Sequence, residues 1–241
     1  VIDCGSIDLA QARLQARHGQ RLDDKAWRRI EITRDFAPLL EGARATALRP
    51  WLVGLTAASD GHAVETALRG HWQAVVAEAA GWMAAEWRPA VLWCAVLPDL
   101  AALQHLARGG EAPAWMSDAA AWRAQAQAAA LATAWLPPHD VGAAWQAEWH
   151  RLWPPMAHAE RATLLQFEQL LADHRQAFAR AAEAQGWPLR GALHARLGLL
   201  LRRVALQPAA LFTHLALCAL DLERLRAELL RRAFFPRWKA A

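Results

Sequence analysis

Leu211-Phe212-Thr213-His214-Leu215-Ala216-Leu217-Cys218-Ala219-Leu220-Asp221-Leu222-Glu223-Arg224-Leu225-Arg226-Ala227-Glu228-Leu229 sets apolar residues at 211, 215, 218, 222, 225 and 229. That 4-3-4-3-4 spacing keeps one edge of an α-helix turned toward a partner helix. Leu164, Phe167, Leu171, His174 and Phe178 draw a similar edge further upstream. Around both stretches Ala, Leu, Arg, Gln and Glu dominate, and no run alternates with period two for long, so helix is favoured almost everywhere. The fold expected is all-α: an antiparallel helical bundle or a stack of helix hairpins, of about nine helices. They are placed near 7–18, 24–36, 38–56, 61–87, 89–108, 117–135, 140–152, 157–185 and 188–233, the last interrupted at Pro208.

The breaks have ordinary chemistry. Ser59-Asp60-Gly61 stops one helix and caps the next, Gly109-Gly110 ends another, and Ser117-Asp118 starts its successor. Pro137-Pro138, Pro154-Pro155 and Gly186-Trp187-Pro188 prevent helical continuity. Residues 1–6 read as a tag remnant or disordered lead-in, and 7–241 as a single all-α domain in which two helical lobes would meet near 109–117. An internal echo raises the question of two related halves. Shifted by 122 positions, Trp93, Val96, Asp99-Leu100, Leu103 and Ala107 fall on Leu215, Cys218, Asp221-Leu222, Leu225 and Leu229. Heptad-like stripes also align this way without a duplication, so both explanations stay open.

Of the 241 residues 55% are hydrophobic, enough for a sizeable core without disulfides or metals. The longest apolar stretches, Pro89–Leu97 and Leu211–Leu220, reach about half of a bilayer span, so no membrane span is expected. Cys4, Cys94 and Cys218 are an odd set at wide spacing, which argues against a disulfide framework or zinc site and suits a reducing, cytoplasmic compartment. Lys and Arg total 27 against 23 Asp and Glu, and nearly all the cations are Arg scattered along polar helix faces. A nucleic-acid binder would concentrate that charge in one stripe, so nucleic acid is not an expected partner.

Motifs for catalysis are missing from the sequence. The ten histidines include no HExxH arrangement, and the set of Glu and Glu-x-x-His elements of a di-iron bundle is absent. Ser6, Ser59 and Ser117 sit at loop or cap positions, no GxSxG occurs, and Cys94 and Cys218 lie in apolar runs without an obvious activating partner. No phosphate-cradling GxxxxGK[ST] loop occurs, and Asp23-Asp24 reads as a helix cap. No catalytic residue, cofactor or metal is therefore assigned, and a non-enzyme is expected. The alternative is a helical enzyme whose site, drawn from His62, His71, His150, His158 and His174, assembles only in three dimensions. Trp145, Trp149 and Trp153 recur at i, i+4 and i+8 and so share one helix face. Such a face packs a core or docks a partner protein, as in a scaffold or chaperone-like module with a Trp-lined groove.

In order along the chain, Arg28–Ala107 resembles the C subunit (also called d) of V- and A-type rotary ATPases. The likeness begins with Arg28-Arg29-Ile30-Glu31-Ile32-Thr33-Arg34 and Leu39-Leu40-Glu41, and continues through Leu48-Arg49-Pro50-Trp51-Leu52. Amphipathic stretches at Ala63–Leu68 and Val75–Met83 follow, then Leu97-Pro98-Asp99-Leu100-Ala101-Ala102-Leu103. Ala219-Leu220-Asp221-Leu222-Glu223-Arg224-Leu225 through Arg231 is similar to the same family motif, with Ala102 and Arg224 standing where the family carries Asn. The resemblance implies a non-catalytic adaptor coupling a central stalk to a membrane ring, peripheral to that complex and bound to other protein subunits. It implies a basic rim as the working surface, for which Arg224, Arg231 and Arg232 are the candidates beside the Trp145, Trp149 and Trp153 face.

Overall fold

The computed structural model describes residues 6–108, 110–111 and 140–234. The helix expected at 117–135 lies outside the described residues, as does most of the 109–117 lobe boundary. Among the described residues the chain is all-α, with no strand. The helices are α1 (Ile7–Gly19), α2 (Asp24–Ile32), α3 (Phe36–Arg44), α4 (Gly61–Trp82), α5 (Arg88–Leu92), α6 (Leu100–Ala107), α7 (Val141–Arg151), α8 (His158–Arg180), α9 (Gly186–Arg203) and α10 (Pro208–Phe234).

Helix starts follow the cap chemistry of the sequence. Asp23 accepts the Ala26 N–H at 2.7 Å, Asp60 the Ala63 N–H at 2.8 Å, and Asp140 the N–H groups of Gly142 and Ala143. Each carboxylate satisfies donors that the first turn leaves unpaired. The 38–56 segment is shorter than expected: α3 stops at Arg44, and a turn and a 3-10 helix at Arg49–Leu52 carry the chain into a left-handed Gly54. Pro50 and Gly54 account for the break. The interruption near Pro208 is complete, because Leu206 adopts φ 60° and Pro208 begins a new helix. The Leu206 N–H is not orphaned by the turn, since Gln11 accepts it at 3.0 Å.

Helix α10 is the axis of the fold. Its residues Pro208–Leu215 are all buried, and Leu222, Leu225 and Leu229 continue the stripe. Helices α9, α4, α1, α8 and α3 pack around it. Ala85–Leu106 is, among the described residues, the one segment long and apolar enough to cross a membrane by length and composition, with mean hydropathy 1.3. In the fold it breaks into short helical pieces around Pro89 and Pro98, and Trp87, Ala90, Val91, Trp93 and Cys94 on it are buried. The echo does not repeat as secondary structure: Trp93–Asp99 is 3-10 and leads into α6, whereas 215–229 is continuous α-helix. What the two copies share is the partner of the acid. Asp99 accepts from Arg69 at 2.9 Å and Asp221 from Arg21 at 2.6 Å, each arginine lying outside the helix of its acid.

The three arginines of the expected rim are engaged by this chain's own α2. Arg224 bonds Glu31 at 2.7 Å and lies over the Trp27 ring. Arg231 reaches the Glu31 carbonyl at 3.5 Å and pairs with Glu228 at 2.9 Å on the surface. Arg232 is only 4% exposed and donates to the carbonyls of Thr33, Glu31 and Ile30, closing the end of α2, and to Glu228 at 2.5 Å. A cation at that end also complements the helix dipole. Arg232→Met should cost roughly 3 kcal/mol of unfolding free energy in urea titration, because three carbonyls and a carboxylate lose their donor. Arg231→Met should stay within about 0.5 kcal/mol; equal effects would refute the capping role.

Candidate functional site

A cavity of about 300 Å³ lies between α4, the 3-10 turn before α6, α7, α8 and α10, its apolar lining including Trp72, Trp145, Trp149, Phe167, Phe212 and Leu215. Three indoles around it are held by their N–H groups, whereas the buried Nε1 of Trp149 and that of Trp153 have no hydrogen-bond partner among the described residues. Trp93 donates to the Trp145 carbonyl at 3.0 Å, Trp145 donates back to the Trp93 carbonyl at 3.2 Å, and Trp72 donates to the Cys94 carbonyl at 2.9 Å. Such bonds let a large amphipathic ring sit in a dry site without an unpaired donor. The rings also order one another: Trp145 and Trp149 stack with centroids 5.7 Å apart, and Phe212 meets Trp149 edge-on at 4.9 Å. Of the Trp face read from the sequence, Trp145 and Trp149 line the cavity. Trp153 is buried behind them, edge-on to Trp149 at 5.0 Å and beneath the Arg161 guanidinium.

Polar groups reach this cavity from α7 and α8. Glu168 Oε1 accepts from Gln146 at 2.9 Å and from His150 Nε2 at 2.5 Å, and Gln146, His174 and Arg175 also line the space. Burial lowers the His174 pKa, with Arg190 adding to the effect, so the ring is neutral at pH 7.

A larger cleft of about 540 Å³ shares Trp72, Leu97 and Ala219 with the aromatic cavity. Its polar wall is a network in which Glu65 accepts from both Arg69 and Arg226, and Arg69 also holds Asp99. Burial pushes the Glu65 carboxyl up, but the bonds from Arg226 and Arg69 outweigh it and hold the group below the usual range.

A third space of about 200 Å³ lies between α1, the 45–52 turn, α4 and α10. There Cys218 has a neighbour the sequence reading did not single out: its Sγ lies 3.5 Å from His214 Nε2, one helical turn away. The i, i+4 spacing of the two residues was visible in the sequence, but nothing there marked the turn as a site. Burial pushes the thiol up to about 12 and the imidazole down to about 4. The pair is therefore a neutral thiol beside a neutral ring, not a thiolate–imidazolium nucleophile. Arg21 stands by, bonded to Asp221 and to the Leu217 carbonyl and 2.9 Å from His194 Nε2.

The histidines singled out in the sequence do not converge. His174 lines the aromatic cavity and His71 the Cys218 space, while His150 binds Glu168. Among the described residues no three His, Cys, Asp or Glu side chains come together as a metal site. No family model matches the chain, and no curated protein or solved structure is significantly similar to it, so the rotary-ATPase likeness rests on the quoted motifs alone.

The buried imidazole ties stability to pH. His214 titrates near 6.5 when unfolded and about 4 when folded, because burial disfavours its charged form. Between those values the unfolded chain binds the extra proton. Stability is thus fully present above pH 6.5 and is lost as pH falls toward 4, at about 1.4 kcal/mol per pH unit for one such group. His18 and His194, lowered by burial and by Arg21, add in the same direction. Urea midpoints should fall from pH 7 to pH 5, and His214→Phe should flatten that fall; an unchanged slope in the variant would remove His214 as the source.

Proposed function

We propose that this protein is a non-catalytic helical binding module whose working site is the aromatic cavity between α4, α7, α8 and α10. One observation carries the reading: rings from four helices line a half-open cavity of about 300 Å³, mostly apolar, with a few polar groups beside them. Ligand sites have that size and composition, whereas well-packed interiors leave few voids larger than a water. The chemistry nearby supports binding over turnover. Glu168 is tied to Gln146 and His150, the Glu65 network is neutralised internally, and the Cys218–His214 pair is uncharged.

The test is to extract small molecules from protein purified natively from its own cells. Wild type should carry an apolar compound near one per chain by mass spectrometry. Ala216→Phe, which fills the cavity from α10, should carry less than about a tenth as much, since a ring there excludes the ligand. The melting temperature of the variant reports whether it folds, and Ala216→Leu serves if it does not. Equal loading of the filled and open cavities, or none in wild type, would defeat the reading.

A second reading, the adaptor between protein subunits, is favoured by the α8–α9 hairpin tip. There Trp187 is 50% and Phe178 38% exposed, with the Arg190 guanidinium 5.1 and 4.5 Å from their ring centroids. Aromatic residues and arginine in that arrangement suit a protein contact. Under this reading the partners are other subunits, with a rotary stalk and membrane ring as the specific case. Pull-down from the native cells should then recover stalk or ring subunits, and Trp187→Ala should lower the yield about tenfold while the cavity ligand is retained, as for loss of an interface hot spot.

A further inference from the structure

Helix α1 is held to the bundle more by polar bonds than by burial. Of its thirteen residues only Ala10, Gln11 and Leu14 are buried. Gln11 takes the Leu206 N–H at 3.0 Å, and Arg17 pairs with Glu78 of α4 at 2.5 Å on the surface. The most extensive tie is Arg21, in the turn that follows the helix. It donates to Asp221 at 2.6 Å and to the Leu217 carbonyl at 3.1 Å, both on α10, and stands 2.9 Å from Nε2 of His194 on α9. An element with so few buried apolar contacts opens at a lower free energy than the core it covers.

The bond to His194 works in one protonation state only. A guanidinium has five donors and no acceptor, so His194 must offer a bare Nε2 lone pair and carry its one proton on Nδ1. Protonation turns that acceptor into a donor aimed at a cation. The bond is lost, and two like charges are left 2.9 Å apart. His18, in the last turn of α1, lies in the field of the same guanidinium, with its Nδ1 buried and without a hydrogen-bond partner. His194 faces Arg21, Arg224 of α10 and the acids Asp221 and Asp24, and His18 faces Arg21, His194, Arg202 of α9 and Asp221. Asp221, the acid both rings share, is already taken by Arg21. Burial lowers both histidine pKa values and Arg21 lowers them further, so both rings are neutral at pH 7. The ties that need neutral rings are thus fully present above pH 6.5 and are lost as pH falls below it.

We propose that α1 is an acid-released strap: protonation of His18 and His194 frees it from α9 and α10 while the other helices stay packed, opening the space that holds Cys218 and His214. Arg17, Gln20, Arg21 and Leu22 wall that space on one side, so it opens when they leave. Histidine clusters that charge between about pH 5 and 6 release weakly held elements in this way. The global loss of stability through His214 is separate, since here the core stays folded.

Hydrogen exchange of the full chain, read by mass spectrometry and corrected for the intrinsic pH dependence of exchange, is the test. Between pH 7 and pH 5 residues 9–19 should lose roughly tenfold or more in protection, the effect of about one unit of pKa shift. Residues 197–201, on the buried side of α9, should stay about tenfold better protected than α1 at pH 5. As the pH falls, a dipyridyl disulfide, which titrates thiols in mild acid, should modify Cys218 before Cys94. His18→Gln with His194→Gln keeps an acceptor for Arg21 that cannot charge, and should hold α1 protection at pH 5 within about threefold of its pH 7 value. Circular dichroism at pH 7 reports whether the double variant folds, and His194→Gln alone serves if it does not. His214→Phe should leave the release intact. An α1 that keeps its protection at pH 5, loses it together with 197–201, or still lets go in the glutamine variant would overturn the inference. So would abolition of the release by His214→Phe, which would make it global unfolding.

Discussion

Burial of the first two turns of α10 on every side is the constraint on which the rest of the structure depends. Pro208–Leu215 meets no solvent, so helices must close around it from all directions, and its polar members must be satisfied locally or remain neutral. Thr213 does the first by returning its hydroxyl to the Ala209 carbonyl at 2.7 Å. His214 does the second, sharing one ring nitrogen with Cys218 and leaving Nδ1 without a partner. The aromatic cavity follows from the same arrangement. Phe212, Leu215, Ala216 and Ala219 project from α10 toward α7 and α8, and the small side chains at 216 and 219 leave the room that the large ones would fill.

Tryptophan supplies the stiffness around that room. An indole has few rotamers and a large rigid area, and when its N–H reaches a backbone carbonyl it joins two segments as well as filling space. The reciprocal bonds between Trp93 and Trp145 tie the 3-10 turn before α6 to α7, and Trp72 ties α4 to the same turn. Charge is handled in a similar way. Arg21, Arg69, Arg224, Arg226 and Arg232 each link elements distant in sequence through carboxylates or helix-end carbonyls. Removing one partner from such a buried pair is costlier than any net gain from forming it, so these bonds specify the helix arrangement more than they stabilise it.

Local rules made much of the fold legible. The 3.6-residue period of Leu211 to Leu229, the capping acids Asp23, Asp60 and Asp140, and the proline breaks each act within a few residues, and the structure follows them. The reading ran long at 24–36, 61–87 and 157–185, where the helices stop at Ile32, Trp82 and Arg180, and most of all at 38–56, where Pro50 and Gly54 turn the chain through a 3-10 helix. Of the site, only the shared face of Trp145 and Trp149 was legible, from i, i+4 spacing. Trp72, Phe167, Glu168 and Phe212 come from three other helices, and no short-range pattern relates them.

The sequence by itself therefore determined the helical class, the positions of most helix starts and the apolar edges, because these depend on neighbours within one or two turns. Only the tertiary structure decided which polar groups meet. The arginines at 224 and 232 met α2, Cys218 met His214 in a space shared with α1 and α4, and Glu168 met Gln146 and His150 beside the aromatic walls. Those pairings join residues up to 202 positions apart, and a distance of that kind is set by how helices pack, not by the order of residues along any one of them.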